Sequence, residues 1–164
     1  MSNPLFNPRG FLQINIGKSR LLVPQAEVRS LESTLDMHTE KEDQSSVGSV
    51  FNNGVLIAVF NFDDKFNLDQ SVPDSRRICV CLQDNDIEFS IICDAVSSIK
   101  QEEINLVDLP SCMKTTYCPA LFLGIYRNSV FSVVSTWTLH NLITKMSNNG
   151  ISGKQLDKVS TINE

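Results

Sequence analysis

Apolar positions along this chain fall into short runs that pair across turn-forming residues. Phe11 to Ile16 alternates as FLQINI, Gly17-Lys18-Ser19 turns the chain, and Leu21-Leu22-Val23 returns. That spacing predicts a β-hairpin. Ser49-Val50-Phe51 and the run Val55 to Phe60 flank Asn53-Gly54, a two-residue turn signal because both central positions favour positive φ. Ile78 to Leu82 (ICVCL) and Ile87 to Cys93 (IEFSIIC) flank Asp84-Asn85-Asp86. Leu121 to Tyr126 (LFLGIY) and Val130 to Val134 (VFSVV) flank Arg127-Asn128-Ser129. Four successive hairpins predict a mainly β, antiparallel architecture, a barrel or a sandwich.

The run Val55 to Phe60 does not alternate, and Asn61 ends it. A strand apolar on both faces is one covered on both sides, so this is predicted to be the most buried strand. Its β-branched and aromatic content argues against a buried helix. Helical signals are few. Gln25 to Leu31 follows Pro24 with near-helical apolar spacing and predicts a short helix after the first hairpin. Thr136 to Met146 sets Leu139, Leu142, Ile143 and Met146 at helical intervals after a candidate cap at Ser135 or Thr136. Glu32 to Ser46 is polar and acidic and predicts a mobile loop, and residues 1–10 and 147–164 read as flexible tails around a single domain over 11–146.

At 164 residues the chain is long enough to bury a real core. Its formal net charge is -5, and apart from Arg76-Arg77 the basic residues are scattered, so no stripe exists to neutralise phosphates. Nucleic acid is not an expected partner. The first ten residues lack the pattern of a secretory signal, and no apolar stretch approaches the roughly 18 to 20 residues that span a bilayer. A soluble, cytoplasmic protein is expected. Cys79, Cys81, Cys93, Cys112 and Cys118 are odd in number and mostly set among apolar residues, as reduced core thiols would be.

Candidate chemistry is sparse. Cys79 and Cys81 share a strand face near Cys93, but the spacing is not Cys-x-x-Cys and apolar neighbours disfavour thiolates, so no metal site is expected. His38 falls in the predicted loop, and His140 falls on the polar face of the last helix. Asp63-Asp64 reads as the charged start of a helical turn, Arg76-Arg77 as a solvated strand entrance, and Trp137 as a core residue. No set of convergent polar groups marks a catalytic site, and neither an enzyme nor a cofactor is expected. The rival reading is a small-molecule-binding or enzymatic β-barrel protein with a pocket between barrels.

The order of the four hairpins, with particular residues, resembles the CheW-like domain, the coupling module of bacterial chemosensory systems. FLQINIGKSRLLVPQAEVRSL keeps Gly17, Pro24 and Val28 in register with the family pattern. GSVFNNGVLIAVFNFDDKFNL follows, without a gap, the family form G-V-x-N-L-R-G-x-x-x-P-V-x-D-L-x-x-x-F, with Gly48, Gly54, Val59, Phe62 and Phe66 in place. RRICVCLQDNDIEFSIICDAVSSI ends in the family's V-D-x-V at Cys93, Asp94 and Val96, and LFLGIYRNSVFSVVSTWTLHNLI keeps Gly124. The family's Arg falls at Asn53 and its Glu at Ser30, so two opposite charges are absent together and a neutral surface stands in their place.

The resemblance implies a fold of two small five-stranded β-barrels packed together, with structural turns at Gly17, Gly48, Gly54 and Gly124. It also implies a non-enzymatic adaptor without cofactor or metal. Such an adaptor couples the cytoplasmic tip of a methyl-accepting chemoreceptor to a CheA-type histidine kinase, in chemotaxis or type IV pilus motility, without inserting into the membrane. The partner-binding residues implied are Val28, Ser30 and Asn53, with Ile78, Val80 and Leu82 on the third hairpin.

Overall fold

The computed structural model describes residues 8–41 and 43–160, from 150 onward as backbone alone. The first hairpin is β1 (Gly10–Ile16) with β2 (Ser19–Pro24), and the next strand is β3 (Val28–Ser33). The second hairpin is β4 (Gly48–Asn52) with β5 (Val55–Phe60), and the third is β6 (Ile78–Asp84) with β7 (Ile87–Cys93). After β8 (Ala95–Lys100) and β9 (Asn105–Asp108) come the fourth hairpin, β10 (Phe122–Tyr126) with β11 (Ser129–Val133), and the helix α1 (Thr136–Ser160). Each predicted hairpin turns where expected. Asn53 and Gly54, and likewise Arg127 and Asn128, take positive φ at both central positions, while Gly17 and Asn85 take it at the first.

The strands form two curled sheets, ordered β8-β1-β2-β11-β10-β9 and β3-β6-β7-β5-β4. Each sheet joins two hairpins through one short parallel contact, β2 with β11 in the first and β5 with β7 in the second. The first sheet therefore has six strands rather than five. The chain crosses between sheets through the 3-10 turn Gln25–Glu27 and back through Asp94 alone, between β7 and β8.

Alternation along the strands divides the apolar residues among three cores. Phe11, Leu22, Ile99, Ile104, Phe131 and Val133 fill the curl of the first sheet. Val50, Ile57, Val59, Cys79, Cys81 and Ile92 fill the curl of the second. Leu12, Ile14, Leu21 and Val23 meet Phe60, Val80, Leu82, Phe89 and Ile91 between the sheets, where Leu139, Leu142 and Ile143 of α1 join them as their spacing predicted. Deleting any of these large side chains to alanine would cost about 2 to 5 kcal/mol. Ser135 caps α1 by accepting from Thr138 N at 3.1 Å, and Glu27 accepts from Thr136 N at 2.6 Å and Thr136 Oγ1 at 2.8 Å. That carboxylate ties the first crossing to the helix N-terminus, where the helix dipole favours it.

Several expectations are corrected. The predicted helix over Gln25 to Leu31 is a single 3-10 turn, after which Val28–Ser33 is a strand paired with β6 across a bulge. Sheet pairing overrides the helical spacing there. Val55 to Phe60 is not the most buried strand: Val55 is 51% exposed and only Ile57, Val59 and Phe60 are buried. From Ile57 onward both its faces are covered, but β6 and β7 lie deeper because they occupy the middle of the sheet. Within Glu32 to Ser46, Thr34–Asp36 forms a 3-10 turn and His38 pairs with Ser49, while Glu42 lies outside the described residues. Gly48 and Gly124 sit in strands rather than turns; a side chain on Gly124 would come 2.9 Å from Leu22 Cδ1. At the ends, Gly10 begins β1 and α1 runs on from Met146 to Ser160, while residues 1–7 and 161–164 lie outside the described residues.

Candidate protein-interaction surface

Of the residues picked out for partner contact, Val28 and Ser30 lie half-buried on β3, an edge strand of the second sheet, and Asn53 lies exposed at the tip of the β4–β5 turn with φ 49°. Ser30 pairs in register with Cys81, so its side chain points into the curl of the second sheet, where Asn52 Nδ2 donates to its Oγ. That bond joins the two edge strands β3 and β4 and places Ser30 one residue from Asn53. The structure thus brings Ser30 and Asn53 together at one rim. Val28, across the bulge in register with Leu82, packs against the core between the sheets, and Ile78 packs against the same core at the opposite end of the β3–β6 pair, in register with Ser33.

Val80 and Leu82 do not belong to any surface. Both are fully buried in the core between the sheets, because the first sheet and α1 cover the face of β6 from which they project. Arg76 is corrected as well. It is 6% exposed, donates from Nη1 to Asn61 Oδ1 at 2.8 Å and to the Phe62 carbonyl, and faces Asp94 Oδ2 from Nε at 3.5 Å. Asp94 also accepts from Gly17 N at 2.7 Å and Ser75 Oγ at 2.8 Å. Burial raises the Asp94 carboxyl, but the Gly17 and Ser75 hydrogen bonds and the Arg76 guanidinium outweigh it and hold it below its ordinary value. Gly17 suits this turn, since it takes φ 57° and an added Cβ would sit 1.7 Å from Asp64 Oδ1 and force that side chain to move. The first hairpin, the crossover residue and the segment after β5 therefore meet at one buried guanidinium. Only Arg77 of the pair is exposed.

The alternative chemistries separate in space. Cys79 and Cys81 lie inside the curl of the second sheet, while Cys93 lies in the core on its other face, so the three do not converge. Burial pushes the Cys79 and Cys93 thiols up to about 12, which leaves them protonated and un-nucleophilic at neutral pH. His38 stacks edge-on against Phe51 at 5.2 Å, and His140 is half-buried against Phe89 at 6.1 Å. Asp63 accepts from Lys65 N at 2.8 Å and Asn67 N at 2.9 Å; burial raises its carboxyl, and those bonds bring it below its ordinary value. It organises a tight turn, with Phe66 at φ 63°. Trp137, expected in the core, is 57% exposed.

What the sequence did not show is where apolar surface lies open. Leu35 is 91% exposed on the turn after β3 and Phe51 55% exposed on β4, and Val107, Ile125 and Val130 are exposed on β9, β10 and β11. Such surface on a folded domain marks contact with another molecule more readily than chemistry. Among the described residues no helix is long and apolar enough to cross a membrane.

No protein-family model matches the sequence, and no curated protein matches it. Among solved structures the fold is similar to that of the scaffolding protein TtCheW from Thermoanaerobacter tengcongensis, with a TM-score of 0.58 and 11% sequence identity. The match covers 78% of this chain and 89% of that one. The mainly β architecture of two curled sheets and one closing helix is thus a CheW-like fold.

Proposed function

We propose that this chain, with its CheW-like fold, is a non-enzymatic scaffold that couples a receptor to a CheA-type histidine kinase in a chemosensory pathway. The observation that carries this reading is the pairing of two curled sheets over a shared core, the arrangement it has in common with a scaffolding protein. The scatter of the polar chemistry agrees with it: Cys79, Cys81 and Cys93 are buried and do not converge, and the buried arginine is consumed in holding the sheets together. The receptor is of the methyl-accepting type, contacted at its cytoplasmic tip, and the scaffold is cytoplasmic, at receptor arrays on the inner membrane.

The contact surface on this reading is the rim formed by Val28, Ser30 and Asn53, with Ile78 at the far end of β3–β6. Neither Ser30 nor Asn53 carries a charge, so the partner face opposite is neutral. That favours a dedicated receptor, such as one serving type IV pilus motility, over a receptor that reads an Arg–Glu pair. The test is binding of the purified chain to the regulatory domain of CheA-type histidine kinases from the same cell. Asn53→Asp should weaken binding with the thermal melt unchanged, whereas Val28→Ser and Ile78→Ser, which also thin the packing against the core, should weaken it in protein shown by its melt to be folded; retention of full affinity by Asn53→Asp and by the folded serine variants would remove this surface from the interface.

A further inference from the structure

The two edge strands of the second sheet, β3 and β4, are linked at a seam by the Asn52–Ser30 bond, and the segment that follows β3 is laid on β4 by paired backbone bonds, His38 N to Ser49 O at 2.7 Å and Ser49 N to His38 O at 2.9 Å. Over this seam lies a groove of about 580 Å³. Its floor is Val50 and Met37, its walls are Leu35 and the Phe51–His38 pair, and its rim carries the carboxylates of Glu32 and Asp36. No lysine or arginine lines it among the described residues.

The groove is built by specific local devices. Leu35 is held out on a 3-10 turn whose start is capped by Ser33 Oγ, which accepts from Leu35 N at 3.2 Å, and Thr34 N ties the turn to the Arg77 carbonyl at 3.1 Å. Gly48 lets the 37–38 segment lie directly on β4, since an added Cβ would come 2.5 Å from His38 O and 3.0 Å from Met37 Cγ. The His38 ring meets Phe51 at an interplanar angle of 87° and fixes that wall. The groove is lined by more polar than apolar surface, but Leu35 and Phe51 present exposed apolar side chains beside the two carboxylates, a pairing complementary to an apolar anchor flanked by basic charge.

We propose that the seam groove is a docking site for a basic segment of a partner protein, one that places a leucine or aromatic side chain between Leu35 and Phe51 and lysine or arginine against Glu32 and Asp36. The site does not depend on the kinase-coupling reading, since a scaffold of any pathway could carry it. The test is selection of a random peptide-display library on the immobilised full-length chain, followed by affinity measurement of the enriched peptides. Enriched sequences should set lysine or arginine next to an apolar anchor. Leu35→Ser with Phe51→Ser, and separately Glu32→Gln with Asp36→Asn, should each lower their affinity more than about tenfold while the thermal melt stays unchanged. Added salt should weaken binding to the wild type and much less to the Glu32→Gln, Asp36→Asn protein. The proposal fails if nothing is enriched, if enriched peptides lack basic residues, or if they bind both variants as tightly as the wild type. It also fails if the wild type self-associates and Phe51→Ser abolishes that, which would assign the groove to a second copy of the chain.

Discussion

Replacing Asp94 by alanine removes the carboxylate that closes the buried guanidinium of Arg76, and its cost can be worked from the contacts. The lost interactions are a hydrogen bond from Gly17 N at 2.7 Å, one from Ser75 Oγ at 2.8 Å, and the 3.5 Å ion pair to Arg76. Hydrogen bonds to a charged group contribute about 1.5 to 3 kcal/mol, and stranding one partner of a buried pair costs about 3 to 5 kcal/mol. Two facts lower that figure: the Asp94 side chain is 27% exposed, and Arg76 keeps Asn61 and the Phe62 carbonyl through Nη1. The expected loss is therefore about 2 to 4 kcal/mol. It should be read from urea unfolding of the wild type, Asp94→Ala, Arg76→Met and the double variant. Because each single change strands the other group, the double should be far less damaged than the sum of the singles. Additive losses, or a loss under about 0.5 kcal/mol for Asp94→Ala, would refute the node as the link between sheets. The pH dependence has a definite sign. The folded carboxyl of Asp94 titrates below the unfolded value of 3.8, so its contribution is complete above that pH and disappears as pH falls through the folded value. The stability gap between wild type and Asp94→Asn should accordingly narrow below about pH 4, and a gap that widened there would reverse the argument.

Other consequences follow from burial and exposure. Ile57→Asp or Val59→Asp puts a carboxylate into the core of the second sheet and should cost about 3 to 5 kcal/mol, whereas Val55→Asp should stay within roughly 0.5 kcal/mol; equal melting temperatures for all three would contradict the register. In the native protein at pH 8 a thiol reagent should label Cys112 rapidly and leave Cys79, Cys81 and Cys93 unreacted until denaturant is added, which mass spectrometry of the labelled peptides would show. Ser30→Glu with Asn53→Arg should restore binding to a chemoreceptor tip from a system whose scaffold carries those charges, for about 1 kcal/mol of stability as the Asn52 bond rearranges. Tight binding of that tip by the wild type would show that the neutral rim does not select the partner.

The hairpins were legible because their turns are written in residues that accept positive φ: Gly17, Asn53-Gly54, Asn85 and Asn128. The closing helix was legible from Leu139, Leu142 and Ile143, and the same periodicity places Trp137, some 200° around the helix from Leu139, on the solvent side, a signal that went unused. β3 and β8 were not legible. Val28–Ser33 carries helix-like spacing that pairing with β6 overrides, and Ala95–Lys100 is an edge strand whose single buried apolar residue is Ile99. Arg76 was misread because its burial depends on Asn61 and Asp94, residues 15 and 18 positions away that the fold brings together. Each of those two closes an apolar run that ends in the core, and a lone polar residue at such a point needs a buried partner. Val80 and Leu82 were read as surface because nothing local reveals that the first sheet and α1 would cover that face of β6. The seam groove had no local signal either, since Leu35 and Phe51 come together only when β3 and β4 close the curl.

The most direct measurement of the scaffold reading is co-sedimentation of a CheA-type histidine kinase with membranes that carry methyl-accepting receptors from the same cell, with and without the purified chain. The account predicts that the kinase pellets with the receptor only when the chain is present, that the chain pellets with them, and that Asn53→Asp, a change at an exposed turn residue, releases the kinase. A kinase that pellets equally well without the chain, or a chain that stays in the supernatant when kinase and receptor are both present, would contradict it.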